Sequence, residues 1–318
     1  MIALGGSGAP VSALGFGGAV IGNLYRAVPE DVASQAVAAA WDAGIRYFDT
    51  APHYGLGLAE RRLGQALAGR PRHEFSVSTK VGRLLDPVDN PCGKRDVEGG
   101  FDVPADFARR WDFSADGVRR SLESSADRMG LDRIDLVLLH DPDEHWQQVL
   151  DEAYPALHSL RAQGVIGAIG VGMNQWQMLR RFVTGTDLDA VMLAGRYTLL
   201  DDSGEPLLAE CERRGVPVLA AGVFNGGLLA TDDPEGTAVY DYRPAPPELV
   251  ARAKRLVEVC HQHGVALPQA AIAHAARHPA VASVVLGART PQEVRRNAEL
   301  FRAPVPDALW ADLASAGS

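Results

Sequence analysis

The chain has 318 residues, of which 47% are hydrophobic and 22% are charged, and its formal net charge at pH 7 is −9. Such a composition is typical of a globular protein with a substantial core, and the acidic balance argues against non-specific nucleic-acid binding. The three cysteines are too widely spaced to indicate a disulfide framework or a zinc site. With no visible signal segment and no membrane-spanning run, we expect a cytoplasmic protein.

Strands and helices alternate along the chain. Apolar runs predict eight strands, at residues 11–16, 45–49, 74–80, 133–140, 168–172, 190–193, 217–221 and 282–286. Helical spacing predicts helices at residues 30–43, 59–67, 114–129, 146–163, 176–183, 206–214, 249–263, 268–277 and 291–300, with a final short helix after Pro306. Two long segments, 84–113 and 224–246, show no periodicity, and such segments in compact domains are usually functional or mobile.

This alternation predicts an α/β fold, namely a single (β/α)₈ barrel domain over residues 1–318 with a short N-terminal hairpin. A doubly wound sheet is the alternative. Its dinucleotide-binding fingerprint, G-x-G-x-x-G after the first strand, is not well met, because Gly15-Phe16-Gly17-Gly18 lacks the third glycine at the required spacing.

Polar side chains stand at the ends of successive predicted strands. Asp49 ends the second strand, with Tyr54 in the loop after it, Lys80 ends the third, His140 ends the fourth, and Asn174 follows the fifth. In a barrel, these strand ends meet at the rim that carries catalytic groups. The sequence therefore predicts that these side chains form one site.

The residue types at these strand ends indicate carbonyl–alcohol chemistry. A free tyrosine, with a pKa of about 10, is a poor acid or base at neutral pH, and a nearby lysine ammonium lowers that pKa. Asp49 can compensate the charge of a buried Lys80, and His140 can donate a hydrogen bond to a carbonyl oxygen or pair with the tyrosine hydroxyl. A Schiff-base aldolase with Lys80 as nucleophile remains an alternative. The histidines show no zinc-ligand spacing, so we expect no metal.

Several motifs resemble the aldo-keto reductases over nearly the whole chain. They are Asp-Thr-Ala-x-x-Tyr-Gly from Asp49, Leu-Leu-His-Asp at 138–141, Gly-Val-Gly-Met-Asn at 170–174 and Pro-x-x-Val-x-x-Asn at 291–297. The resemblance implies NAD(P)H bound across the rim and hydride transfer to or from a carbonyl carbon. It implies a catalytic tetrad of Asp49, Tyr54, Lys80 and His140, with Tyr54 as general acid or base. The implied cofactor contacts are Gly18, Asn174, Phe224, Asn225, Gly287, Arg289, Glu293 and Asn297.

The chain departs from the family pattern around the nicotinamide. Met173 stands where a serine is usual before the asparagine that binds the carboxamide, here Asn174, and Leu193 stands where a glutamine is usual. Ala221 falls at the position of the tyrosine that stacks on the nicotinamide. We expect Phe224 to supply that stacking instead.

The adenosine end of the cofactor site also departs from the pattern. Family members that prefer NADP present lysine, serine and arginine around the 2′-phosphate, whereas the aligned positions here are Gly287, Ala288 and Glu293. Glu293 would repel a phosphate and accept a hydrogen bond from a ribose hydroxyl, although Arg289 could still reach a phosphate. We therefore expect NAD or dual use.

Within the family, the segments L-G-F-G-G at 14–18, K-V-G-R-L-L at 80–85 and A-G-R-Y-T-L-L at 194–200 are similar to bacterial sugar dehydrogenases. That branch includes L-fucose (D-threo-aldose) 1-dehydrogenases and a pyridoxal 4-dehydrogenase. It implies oxidation of an aldose hemiacetal to a lactone, with Tyr54 as base. The segment 84–113 would then shape the substrate pocket through Phe101, Phe107, Arg109, Arg110 and Trp111.

Two alternatives stay open within the family. The first is a dehydrogenase or reductase that acts on pyridoxal or on general aldehydes and ketones. The second is a non-catalytic subunit that senses nicotinamide nucleotides. For partners we expect a small-molecule sugar or aldehyde, no nucleic acid and no membrane, in a monomer or small homo-oligomer.

Overall fold

The computed structural model describes residues 1–237, 239–241 and 243–316. Eight parallel strands close into a barrel in chain order: β3 (Leu14–Gly17), β4 (Tyr47–Asp49), β5 (Ser76–Val81), β8 (Ile134–His140), β9 (Ile166–Met173), β10 (Ala190–Ala194), β11 (Val218–Ala221) and β14 (Val281–Gly287). The predicted (β/α)₈ barrel is confirmed, because each strand pairs with the next and β14 pairs with β3.

The helices surround the barrel. They are α1 (Glu30–Asp42), α2 (Leu58–Leu67), α3 (Ala115–Met129), α4 (Trp146–Gln148), α5 (Tyr154–Ala162), α6 (Trp176–Gly185), α7 (Glu205–Arg214), α8 (Pro247–Gln262), α9 (Leu267–Ala276), α10 (Pro291–Arg302) and α11 (Ala308–Ala316). The single helix predicted at 146–163 is interrupted by a π-helical turn, Val149–Ala153. Pro155 follows that turn and lacks the N–H that a regular α-helix would use there.

The N-terminal hairpin closes one end of the barrel. It consists of β1 (Ile2–Leu4) and β2 (Ala9–Val11), which are antiparallel, and Leu4, Ala9 and Val11 pack with side chains of the barrel interior. The assignment of Val11 to the first barrel strand was therefore wrong. Val11 belongs to the hairpin, and the barrel strand begins at Leu14.

The predicted absence of regular structure in residues 84–113 and 224–246 was also wrong. The first segment includes most of an antiparallel pair, β6 (Arg83–Pro87) with β7 (Phe107–Trp111), and the second includes the short pair β12 (Val239–Tyr240) with β13 (Arg243–Pro244). Much of β6 and β7 is exposed, so charged residues occupy positions where an alternating apolar pattern would otherwise show. Leu85, Phe107 and Tyr54 pack against the same buried apolar cluster, so the β6–β7 pair lies close to the loop that carries Tyr54.

Among the described residues, no helix is both long and apolar enough to cross a membrane.

Candidate active site

A buried ion pair lies at the rim of the barrel, where β4 and β5 run side by side. Asp49 and Lys80 are 3% and 2% exposed, and Lys80 Nζ lies 2.8 Å from Asp49 Oδ2 and 3.0 Å from Oδ1. Ser78 Oγ donates to Asp49 Oδ1 at 2.7 Å, and Lys80 donates a further hydrogen bond to the carbonyl oxygen of Thr50 at 3.0 Å. These contacts hold the ammonium group in one position.

A close backbone approach fixes the loop that carries Tyr54. Gly55 has a φ of +61°, and a Cβ there would lie 2.2 Å from the carbonyl oxygen of Gly22, so the loop requires glycine at this position. Tyr54 is thereby held against Lys80, whose Nζ lies 4.6 Å from the centre of the phenol ring.

The pKa of Tyr54 differs from the value expected from the sequence. Burial raises this pKa above its ordinary value, and Asp49 adds to the rise, although Lys80 acts in the opposite direction. The expected lowering effect of Lys80 is present, but the cost of burying the phenolate exceeds the attraction of the ammonium, so the pKa of Tyr54 rises overall. The pKa of Lys80 is itself raised, since Asp49 and Tyr54 together outweigh burial. Lys80 therefore stays charged, and Tyr54 is a neutral phenol at neutral pH, so it must release its own proton before it can accept one from a substrate hydroxyl.

His140 completes the predicted group. It ends β8, and its ring centre lies 6.1 Å from that of Tyr54 at an interplanar angle of 87°. Burial, with the nearby cations, holds the pKa of His140 well below its ordinary value. The imidazole is therefore neutral and presents a hydrogen-bond donor without a charge. The structure brings all four predicted tetrad side chains together.

The sequence analysis missed His53, which lies beside this group. Its ring centre is 5.7 Å from that of His140, 6.1 Å from that of Tyr54 and 5.3 Å from that of Phe101. Burial lowers the pKa of His53 to about 2, with nearby arginines adding to the effect. Its position next to Tyr54 in the motif was the available signal, but a loop has no periodicity that reveals where a side chain points.

Two ion pairs beside the site were also missed. Arg83, at the start of β6, pairs with Asp141, the residue after His140. Arg109, on β7, binds both carboxylate oxygens of Asp96 at 2.7 and 2.5 Å and donates to the carbonyl oxygen of His53 at 3.1 Å. The β6–β7 pair is thus connected to the catalytic rim on both of its strands.

Buried neutral imidazoles make the fold sensitive to acid. A third one, His274 on α9, packs on Tyr197, and burial lowers its pKa to about 4. The unfolded chain therefore binds the proton more readily, so this contribution to stability is complete above pH 6.5 and is lost as the pH falls towards 4. We expect the free energy of unfolding to fall over this range, by up to about 3 kcal/mol from His274 alone.

Urea unfolding of His274→Phe at a series of pH values tests this expectation. The variant should lose less stability than the wild type between pH 6.5 and 4, because phenylalanine keeps an aromatic ring and cannot titrate. His274 Nε2 is covered and has no hydrogen-bond partner among the described residues, so the change removes no such contact. His73→Phe, at an exposed position, is the control for the loss of one histidine. Equal pH dependence in His274→Phe and the wild type would contradict the assignment.

A second part of the rim has groups that fit a carboxamide. Asn174 Nδ2 donates to the carbonyl oxygen of Ala194 at 2.8 Å, and Asn225 Nδ2 donates to that of Gly195 at 3.3 Å. Asn225 is 4% exposed, and its Oδ1 has no partner within the described part of the chain. A buried amide oxygen without a partner is costly, and an N–H of a bound carboxamide would satisfy it. These residues therefore fit the nicotinamide end of the expected cofactor.

The residues that depart from the family pattern around the nicotinamide lie near this part of the rim. Met173 and Leu193 are buried in the layer between strands and helices, so neither side chain lies in the barrel interior. Ala221 is half-buried at the end of β11, and Phe224 is half-buried in the loop that follows. Phe224 packs at the junction of two apolar clusters, beside Asn225.

Gly18 directly follows β3, and the predicted adenosine end begins at the end of the neighbouring strand, β14. The N–H of Gly18 donates to the carbonyl oxygen of Asp49 at 2.7 Å. A Cβ at Gly287 would lie 2.4 Å from Val20 Cγ2, so the end of β14 approaches the segment after β3 closely. Arg289 is half-buried and donates to the carbonyl oxygen of Leu24 at 3.2 Å.

Glu293 forms part of the cap of α10. Its backbone N–H donates to Thr290 Oγ1 at 3.1 Å, and its carboxylate accepts from the backbone N–H of Arg289 at 2.6 Å. This reciprocal arrangement resembles a capping box and fixes a negative charge at the start of the helix. Asn297 lies one turn further along α10 and is half-buried.

Among the described residues, no group of three or more His, Cys, Asp or Glu side chains is arranged to hold a metal ion.

Comparison with known proteins identifies the class to which this barrel and site belong. The sequence profile of the Aldo/keto reductase family matches residues 13–317. The chain therefore belongs to the aldo-keto reductase family, and it is an oxidoreductase that uses a nicotinamide cofactor. The resemblance inferred from the motifs is confirmed.

Particular relatives place the chain within the family. It is 47% identical over 314 residues to D-threo-aldose 1-dehydrogenase from Pseudomonas sp, and the alignment covers 98% of this chain and 95% of that protein. It is 39% identical to pyridoxal 4-dehydrogenase from Microbacterium luteolum, over 99% of this chain and 96% of that protein. The holo form of the aldo-keto reductase AKR11C1 from Bacillus halodurans superimposes with a TM-score of 0.76 at 26% identity, covering 100% of this chain and 96% of that chain. The predicted branch of the family is confirmed.

Proposed function

We propose that this protein oxidises the hemiacetal carbon of an uncharged aldose to a lactone with NAD or NADP. The observation that carries the proposal is the buried Asp49–Lys80 pair beside Tyr54, with the neutral His140 next to it. The similarity to D-threo-aldose 1-dehydrogenase supports an aldose as the substrate class.

Each side chain of this group has a distinct task in the proposed reaction. Tyr54 takes the proton from the sugar hydroxyl during oxidation and returns it during reduction. Lys80 stabilises the phenolate form of Tyr54, which accepts the proton in oxidation and forms again when the phenol gives its proton up in reduction, and Asp49 keeps the ammonium group in place. His140 holds the reacting oxygen by donating a hydrogen bond. A bound nicotinamide supplies the hydride acceptor, and Asn174 and Asn225 would hold its carboxamide.

The charges around the site favour a neutral substrate. Three cations lie at or beside the reacting groups, and each has a carboxylate of its own: Lys80 has Asp49, Arg83 has Asp141, and Arg109 has Asp96. A phosphorylated or carboxylated substrate would have to compete with these carboxylates for the cations. An uncharged polyol needs only neutral hydrogen-bonding groups.

The other chemistries fit these observations less well. A Schiff-base aldolase requires a neutral lysine, whereas Lys80 forms an ion pair that raises its pKa. A purely nucleotide-sensing subunit would not need a buried acid–base group. Pyridoxal is the second candidate substrate, favoured by the similarity to pyridoxal 4-dehydrogenase and by Trp111, which is 44% exposed on β7 and offers an aromatic face.

One screen tests the proposed function directly. Aldoses and pyridoxal are incubated with the enzyme and either NAD or NADP, while formation of the reduced cofactor is followed by its absorbance. We expect turnover with aldoses that share a configuration with L-fucose, and a lactone as the product. Turnover with pyridoxal alone would replace the aldose by the second candidate, and turnover with neither would contradict both.

We infer a preference for NAD over NADP from the fixed charge of Glu293. Its carboxylate is held by the N–H of Arg289, so a 2′-phosphate at this position would meet a negative charge that cannot easily move away. Glu293→Arg should therefore raise kcat/KM for NADP relative to NAD by about tenfold or more, since hydrogen bonds to charged groups contribute about 1.5–3 kcal/mol. Initial rates with both cofactors measure the ratio.

The matched control for this prediction is Glu299→Arg, which makes the same charge change at an exposed position of the same helix. This variant should leave the cofactor ratio as it is in the wild type. If Glu293→Arg also leaves the ratio unchanged, the 2′ position of the ribose does not lie at Glu293.

A further inference from the structure

His53 presents an imidazole that the proposed chemistry does not use. Tyr54 and His140 hold the reacting oxygen, and the ring of His53 lies about equally far from both, with centre-to-centre distances of 6.1 and 5.7 Å. Such distances place its edge within reach of a ligand atom next to the reacting oxygen. The ring is therefore close to the chemistry without belonging to the tetrad.

Both the backbone and the ring of His53 are held in place. Arg109 donates to its carbonyl oxygen at 3.1 Å, and Arg109 is itself bound through two contacts to Asp96. Phe101 packs against the imidazole in an edge-to-face arrangement at 5.3 Å. These contacts come from β7 and from the segment between β6 and β7, and they hold His53 beside Tyr54 and His140.

The hydrogen-bonding capacity of His53 is not satisfied by the described residues. Its Nδ1 is covered and has no partner among them, so a hydrogen bond to a bound ligand would satisfy a polar atom that the described residues leave unpaired. A neutral imidazole nitrogen donates or accepts a hydrogen bond, depending on the tautomer. A hydroxyl group can likewise do either. The ring therefore matches a substrate hydroxyl better than it matches a charged group.

We propose that His53 is a specificity-determining residue that binds the sugar hydroxyl on the carbon next to the reacting carbon, and so selects 2-hydroxy aldoses over their 2-deoxy analogues. This inference rests on the proposed function, because it assumes an aldose in the site. It also extends that function, since it assigns recognition of the C2 hydroxyl to a residue outside the tetrad.

The test compares kcat/KM for the best aldose of the screen and for its 2-deoxy analogue, in the wild type, His53→Phe and His53→Gln. The wild type should prefer the 2-hydroxy sugar, and His53→Phe should reduce that preference by about tenfold, the effect of about one hydrogen bond. His53→Gln keeps a donor and an acceptor and should restore part of the preference. The matched control is His145→Phe, which makes the same substitution at a different histidine, one that packs on Trp111 and Phe113.

Two measurements, cofactor binding and sugar preference, distinguish the possible outcomes of this test. Cofactor binding, measured by quenching of tryptophan fluorescence, should be unchanged in both His53 variants and reports that they are folded. Oxidation of the aldose with the same 2-hydroxy preference in His53→Phe and the wild type would overturn this inference and leave the proposed function intact. A fall in preference in His145→Phe as large as in His53→Phe would also overturn it. Failure of the wild type to oxidise any aldose would overturn the proposed function, and this inference with it.

Discussion

Replacement of Tyr54 by phenylalanine is expected to lower kcat by about 10³-fold or more, because the variant keeps the ring and loses only the group that carries the proton. General acid–base catalysis typically contributes 10²–10⁴-fold, and the imidazoles of His140 and His53 are poor substitutes, because burial holds the pKa of both well below the ordinary value. Steady-state oxidation of the aldose measures the loss. Titration of the variant with the cofactor, followed by tryptophan fluorescence, should show binding as in the wild type.

The matched control for this prediction is Tyr197→Phe. Tyr197 is a half-buried tyrosine that packs on His274, and the same single oxygen atom is removed. We expect the activity of this variant to stay close to that of the wild type. Near-normal activity in Tyr54→Phe would remove Tyr54 from the chemistry, whatever the control shows.

Breaking the buried ion pair is expected to have the largest effect on stability. Lys80→Met leaves Asp49, which is 3% exposed, without its counter-ion, and such a change typically costs 3–5 kcal/mol of unfolding free energy. Asp49→Asn should also be destabilising, because it leaves the buried ammonium group of Lys80 without its counter-ion. The double variant removes both charges, so it should be markedly more stable than the sum of the two single changes predicts. Urea unfolding of all four proteins measures this coupling.

Activity separates the structural task of this pair from its chemical one. The double variant Asp49→Asn/Lys80→Met should stay inactive even where its stability is recovered, because nothing then stabilises the phenolate of Tyr54. Asp116→Asn, in the exposed pair with Arg120, is the control and should cost less than about 1 kcal/mol. Additive stability effects at Asp49 and Lys80 would contradict a tightly coupled pair, and an active double variant would contradict its catalytic task.

The sequence predicted the barrel and the tetrad for the same physical reason. Parallel strands place their carboxyl ends at one edge, so polar residues that end successive strands must meet. Asp49, Lys80 and His140 could therefore be grouped without coordinates. The resemblance to a known family added the predicted cofactor contacts, which lie at the end of β14, in loops and along α10.

The contacts that the sequence did not reveal depend on loops and on burial. Arg83 and Asp141 are 58 positions apart, and their pairing follows only from how the β6–β7 pair lies across the rim. Burial is likewise invisible in a motif, which is why the sequence indicated that Lys80 lowers the pKa of Tyr54 and did not reveal the larger rise that burial causes. His53 was missed because the orientation of a loop side chain depends on its tertiary neighbours, here Phe101 and Arg109.

Hydride transfer from the hemiacetal carbon is the central claim, and isotope transfer tests it most directly. The wild type and Tyr54→Phe are incubated in a single turnover with an aldose that carries deuterium at C1, and the reduced cofactor is analysed by mass spectrometry. We predict that the cofactor reduced by the wild type carries the deuterium and that Tyr54→Phe yields almost none in the same time. A reduced cofactor without deuterium, or equal transfer by Tyr54→Phe, would contradict the claim.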